Sequence, residues 1–211
     1  QKPVLAALGI EQWGMVRTNM RSAYFKLQSK EQFPSLADTD LIYCGDLYIY
    51  PVYAATAKAH LQLVAPHAFG PPERCYYTQV TDHPGYVVNH YGQGQAIYLP
   101  WLPGALFHRQ GYPNTTEFIG DLLTETAGLT AVGGNLSPMV EVTHFAHTVD
   151  ADPDGAHELV HLVNGSGHFG NSFFAPIPMT DLSVTVRCTH RPQLVKSLVN
   201  DALYNFNWQD E

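Results

Sequence analysis

Hydrophobic and polar positions along the chain follow two regimes. In the first, short apolar runs are separated by polar breaks. Arg21 to Leu27 (RSAYFKL) alternates imperfectly, as a half-buried strand does. Asp40 to Cys44 and Leu47 to Val52 flank Gly45-Asp46, which predicts two strands around a tight turn, with Pro51 at an edge or strand end. Ala54 to Val64 is rich in good helix formers and stops short of Pro66, which predicts a short helix. After the Gly70-Pro71-Pro72 corner, Tyr86 to Tyr91 and Gln95 to Pro100 are separated by Gly92-Gln93-Gly94, the pattern of a hairpin or of a turn into a buried strand. Asn114 and Glu117 form a capping pair for a helix over Thr115 to Thr126, with Phe118, Ile119, Leu122 and Leu123 as its apolar stripe and Gly128 as its stop.

The second regime begins after Thr130 to Pro138, where Gly133-Gly134-Asn135 and Ser137-Pro138 form a linker-like stretch. From Met139 the pattern has period two: Val140 to Thr148, Glu158 to Asn164, Leu182 to Cys188, Leu194 to Val199 and Ala202 to Trp208, with a turn at Asp152-Pro153-Asp154-Gly155. Short strands at this spacing predict an antiparallel sandwich. The boundary is placed between residues 129 and 130, giving a mixed α/β domain over 1–129 and a β-sandwich over 130–211. Both ends are abrupt, so the chain reads as a piece of something longer.

Composition narrows the function classes. Of 211 residues, 45% are hydrophobic and 14% charged, a charged share below the roughly 25% of ordinary domains, so polarity rests on amides, hydroxyls, tyrosine and histidine. A formal charge of -8 without any basic run lacks the footprint that neutralises phosphates, so nucleic acid is not expected as a partner. No run reaches the ~18 apolar residues of a membrane span, and Gln1 to Gly9 is no signal peptide. The three scattered cysteines, Cys44, Cys75 and Cys188, fit no disulfide framework and read as buried free thiols, as in a reducing compartment such as the cytoplasm or in a chain that does not depend on bridges. Aromatics reach 12%, and amphipathic rings serve cores, interfaces and sugar-stacking surfaces alike.

The sharpest chemical string is His157-Glu158-Leu159-Val160-His161, a literal H-E-x-x-H, which on a helix places two imidazoles for zinc beside a general base. Here it lies in an alternating, strand-like run. Four positions along a strand separate the histidines by about 13 Å, too far for two ligands of one ion. His144 and His147 fall on opposite faces if their strand is regular. Cys44 has the residue type of a nucleophile but not the elbow, since Ile42 precedes it and a strand follows. Glu73 and Glu141 are a nominal pair for glycoside hydrolysis, yet sequence does not bring them together. Asn114, Asn135 and Asn164 open glycan-acceptor triplets, a pattern frequent by chance.

Several strings in order carry a resemblance: Phe69-Gly70-Pro71-Pro72-Glu73, His83-Pro84-Gly85, Tyr91-Gly92-Gln93-Gly94 leading to Ile97-Tyr98-Leu99-Pro100-Trp101, and Leu159-Val160-His161-Leu162-Val163-Asn164. From about Thr39 to Val199 the chain resembles the region after the catalytic barrel in a group of bacterial glycoside hydrolases related to β-galactosidases with a trimerisation domain. The resemblance implies that residues 1–129 are the later part of a flavodoxin-like α/β domain, similar to class I glutamine amidotransferases and generally not catalytic, and that residues 130–211 are a small antiparallel β-sandwich. The barrel carrying the catalytic carboxylates would lie upstream, so no catalytic residue carries over and no cofactor is implied. Gln1 to Leu36 matches the pattern poorly.

The leading expectation is therefore a non-catalytic accessory region of a carbohydrate-active enzyme, partnered by its own upstream barrel, by further copies of itself and by carbohydrate, with Trp101, Tyr98 and Phe107 as the contacts to inspect. Two alternatives stand beside it. One is a zinc hydrolase using His157, Glu158 and His161, and the other a free-standing sugar-binding module.

Overall fold

The computed structural model describes residues 6–68, 70–128, 132–147, 157–188 and 190–209. It divides into two compact units, Gln1–Leu129 and Thr130–Glu211. The turn expected at Asp152-Pro153-Asp154-Gly155, the string residue Phe69 and the linker residues Thr130 and Ala131 lie outside the described residues.

The first unit is built from antiparallel pairs. Strand β1 (Ile10–Thr18) pairs with β4 (Leu47–Tyr53), a bulged ladder in which the register shifts twice. Strands β2 (Tyr24–Lys26), β3 (Leu41–Tyr43) and β6 (Gln62–Val64) form a sheet in the order β3-β2-β6. Strands β5 (Lys58–His60), β7 (Tyr86–Tyr91) and β8 (Gly94–Tyr98) form another in the order β5-β7-β8, and the β7–β8 hairpin turns through Gly92 at φ 60°. Helices α1 (Pro103–Gln110) and α2 (Pro113–Asp121) follow, each with proline in its first turn, where the missing N–H costs nothing. A π-turn over Leu122–Thr126 extends α2 through the end of the helical segment expected from the sequence.

These elements share one aromatic core. Phe25, Phe33, Tyr48, Tyr86, Trp101 and Phe118 are all essentially inaccessible to solvent. Phe33 stacks on Phe118 at 5.4 Å, and Trp101 lies 5.0 Å from Phe25 and 5.7 Å from Phe118. Because α2 supplies Phe118 and Leu122 follows it, the apolar stripe closes the core over the sheets. Asp121, at the end of α2, is buried and accepts both the Ser35 backbone N–H at 3.0 Å and the Ser35 hydroxyl at 2.8 Å. It thereby satisfies the start of the 3₁₀ turn Pro34–Leu36, where donors are otherwise left over.

The flavodoxin-like α/β architecture is not what forms. The described chain is 37% strand against 16% helix, and every ladder is antiparallel, with no strand–helix–strand crossover between parallel neighbours. The helix expected over Ala54 to Val64 is instead two short strands, β5 and β6, which join different sheets. Helix propensity differs by only tenths of a kcal/mol per residue. That preference is outweighed when Lys58–His60 pairs with Tyr86–Val88 and Leu61, held at φ 61°, turns the chain so that Leu63 and Val64 enter the core. The two strands expected around Gly45-Asp46 exist as β3 and β4, but they do not pair with each other; each takes an earlier partner.

In the second unit the long element is the hairpin of β10 (Val140–His147) and β11 (His157–Asn164), paired from Val140↔Asn164 to His147↔His157. Short pairs accompany it: β12 (His168–Phe169) with β13 (Ser172–Phe173), β9 (Gly133–Gly134) with β14 (Val184–Thr185), and β15 (Val195–Lys196) with β16 (Leu203–Tyr204). A sandwich does not form among the described residues: the ladders stay two-stranded, and Phe169 and Phe173 remain 80% and 81% exposed. Period two reports that one strand face is apolar; it does not supply the second sheet that would cover it.

Candidate functional site

The three aromatic residues expected to meet sugar differ in exposure. Trp101 is 2% exposed and gives its indole N–H to the Gly85 carbonyl at 2.9 Å, so it is core. Tyr98 packs with Ile10, Ala57 and Val87, and burial raises its hydroxyl pKa. Phe107 alone is exposed, on α1. Of the three, then, Trp101 is enclosed, Tyr98 is half-buried and Phe107 is open to solvent.

His157, Glu158 and His161 lie on β11, so the helical geometry that makes this motif a zinc site is missing. On the hairpin, His157 and His161 share one face, where His161 meets Phe145 at 5.6 Å, and Glu158 points to the other. There it bonds His144 Nε2 at 2.8 Å. Cys188, whose thiol bonds the Val186 carbonyl at 3.9 Å, lies close enough to Glu158 to feel its charge, and its thiol pKa is pushed up to about 11 by burial first and by Glu158 second. The order is thiol, carboxylate, imidazole. A cysteine nucleophile needs the imidazole against the thiol, and a carboxylate in that place suppresses the thiolate. Among the described residues, no group of three or more metal-ligating side chains converges.

Cys44 is buried and its pKa is raised by desolvation to about 12, which makes it an inert core thiol. Cys75 bonds the Gly70 backbone and ties the Pro71-Pro72 corner. Glu73 sits exposed in the turn Pro72–Arg74, and Glu141 is exposed on β10 in the other unit. The glycan-acceptor amides all have structural uses: Asn114 donates to Thr39 Oγ1, Asn135 to the Asp181 carbonyl, and Asn164 to the Ile177 carbonyl.

What the fold does assemble is a row of rings on the outer face of the β3-β2-β6 sheet. Phe25, Ile42 and Leu63 point inward from the middle of these strands, so Tyr24 and Tyr43, directly opposed in the ladder, lie on the other face, where both are half-buried and Val64, opposite Tyr24, is fully covered. Their ring centroids are 5.7 Å apart. Tyr112, in the α1–α2 connection, meets Tyr43 at 5.9 Å edge-on, and His67 meets Tyr24 at 6.0 Å. Four rings thus run Tyr112, Tyr43, Tyr24, His67. Two rest on strands, one follows the helix stop at Gly111 (φ 63°), and the fourth is held by the Ser22 hydroxyl bonding the His67 carbonyl at 2.7 Å. The rim is polar: Asp46 pairs with Arg109, and Arg21 lies within electrostatic range of the Tyr43 hydroxyl. Burial, then Asp46 and the neighbouring tyrosines, raises the Tyr43 pKa, so its hydroxyl remains a donor.

Sequence reasoning missed this row. The signal was the position of each tyrosine two residues from a cationic or apolar outward neighbour, Lys26 and Leu41; the cross-strand register that makes them adjacent is not written in either segment. No protein-family model matches the chain, and no curated protein and no solved structure matches it significantly.

Proposed function

We propose that the chain is a non-catalytic accessory and oligomerisation region of a glycoside hydrolase, of the kind that follows the barrel in relatives of β-galactosidases with a trimerisation domain. Its partners are a catalytic barrel upstream in the same polypeptide and further copies of the chain. One observation carries the reading: the strings on which the resemblance rests do framework work. Pro84 and Gly85 present consecutive carbonyls to the Tyr48 hydroxyl and the Trp101 indole, at 2.7 and 2.9 Å. Tyr91-Gly92-Gln93-Gly94 is the β7–β8 hairpin turn. Asn164, which ends the Leu159 to Asn164 string, accepts from the Ser166 N–H and hydroxyl and donates to Ile177, fixing the exit of β11. A chain whose shared strings specify shape rather than a reactive group is suited to support and assembly.

The test has two parts. The natural reading frame should continue upstream of Gln1 through a barrel-sized domain, and the purified chain should self-associate in sedimentation velocity or bind that barrel when the two are mixed. A strictly monomeric chain that leaves the barrel unbound refutes the proposal.

A further inference from the structure

The ladder of the β10–β11 hairpin brings together two histidines that the sequence keeps apart. We infer that His147 and His157 form a two-imidazole binding site for a divalent late transition-metal ion such as zinc. The inference goes beyond the accessory role and does not depend on it. His147 closes β10, His157 opens β11, and the register sets them directly opposite each other. No shift interrupts the pairing from Val140↔Asn164 to His147↔His157, so both side chains leave the same face of the hairpin. One step before the first of these pairs, the Gly165 N–H donates to the Met139 carbonyl at 2.8 Å. Hydrogen-bonded and non-hydrogen-bonded pairs alternate from there, which makes His147↔His157 a hydrogen-bonded pair with Cα atoms about 5.5 Å apart.

Two nitrogens that each ligate one ion at about 2.1 Å lie within about 4.2 Å of one another. Imidazoles opposed at the spacing of this pair reach such an ion from either side by turning about χ1 and χ2. Both histidines are exposed, and among the described residues neither ring is engaged in a hydrogen bond or an ion pair, so that turn is open to them. Other histidines of the unit are already occupied: His144 bonds Glu158, His161 lies against Phe145, and His168 stacks on Phe173 at 4.9 Å. The donor type selects the ion, because imidazole suits zinc, copper and nickel, whereas calcium and magnesium take oxygen. This is not the hydrolytic centre of a helical H-E-x-x-H. His161 lies about 13 Å along β11 from His157, and Glu158 is on the opposite face beside His144. Among the described residues no third ligand joins the pair, so water completes the coordination and the ion ties one strand to the other.

Isothermal titration of the chain with Zn2+, with NMR of the same sample, tests the inference. The expected result is one ion per chain at a site whose occupation shifts the His147 and His157 ring resonances and slows amide exchange in β10 and β11, since bound metal stabilises the paired strands. His147→Ala and His157→Ala, both at exposed positions, should each weaken this binding about tenfold or more, because a single imidazole then holds the ion. His161→Ala keeps the opposed pair and should bind as the parent does. Absence of Zn2+ binding, ring shifts centred on other histidines, or equal affinity in the parent and His147→Ala chains would each overturn the inference. So would loss of binding in His161→Ala, which would return the ion to the sequence motif. The accessory role stands or falls separately, on assembly with the barrel or with further copies.

Discussion

Trp101 donates its indole Nε1–H to the Gly85 carbonyl at 2.9 Å, across the middle of the aromatic core. Gly85 has no room for a side chain there: a Cβ would meet Leu61 Cδ1 at 2.8 Å and Phe25 Cδ1 at 3.1 Å. The ring that sequence reasoning offered to a sugar is thus a brace between the β5-β7-β8 sheet and the core.

The brace predicts a stability effect without a binding effect. Trp101→Phe keeps most of the ring and leaves the Gly85 carbonyl buried and unpaired, at a cost of about 1–3 kcal/mol. Trp101→Ala also opens a cavity and should cost about 3–5 kcal/mol. Urea unfolding followed by circular dichroism measures both. A Trp101→Phe chain as stable as the parent would mean that the indole bond contributes nothing net.

Asp121 predicts a second loss. With Asp121→Ala, the Ser35 N–H and hydroxyl both lose their acceptor, and the turn Pro34–Leu36 that seats Phe33 and Leu36 loosens. The expected destabilisation is about 1–3 kcal/mol. Ser35→Ala, which removes one of the two bonds and leaves Asp121 with the backbone donor, should cost less. Equal losses in the two variants would show that the backbone bond carries none of the effect.

Legibility in the sequence followed the range of the interactions. The helical segment from Pro113 to Thr126 could be read because its stripe, Phe118, Ile119 and Leu122, repeats at helical spacing within one segment. Its expected cap could not: Asn114 turns to Thr39, and the helix opens at Tyr112-Pro113 with no side-chain cap. The β7–β8 hairpin was legible from its glycines, whereas the partners of β3 and β4 were not, because those lie earlier in the chain and are chosen by the core. The aromatic row has the same cause for its invisibility. Tyr24, Tyr43 and Tyr112 are far apart in sequence and meet through one ladder and one helix connection.

His60 predicts how stability depends on pH. It lies flat against Tyr86 at 4.7 Å, and burial, then Lys58, lowers its pKa below the ordinary 6.5. The unfolded chain therefore binds the proton more readily than the folded one. The contribution of His60 is complete above about pH 6.5 and is lost as the pH falls through the lower, folded value. In urea titrations at pH 7.5 and 5.5, His60→Gln should lose less stability on acidification than the parent. An identical loss would assign the acid sensitivity to other groups.

Glu158, on the β10–β11 hairpin, predicts a change in the thiol chemistry of Cys188. Its carboxylate bonds His144 and holds the Cys188 thiol, already raised by burial, at about 11. Glu158→Gln removes the charge and keeps a side chain of the same length, so part of the elevation disappears and burial alone remains. In a Cys44→Ser, Cys75→Ser background, the Cys188 alkylation rate at pH 9 should rise when Glu158→Gln is added, because the rate follows the thiolate fraction. Were Glu158 a partner that activates the thiol, as in a nucleophilic site, the same substitution would slow the reaction. The sign of the change therefore separates a carboxylate that restrains Cys188 from one that serves it.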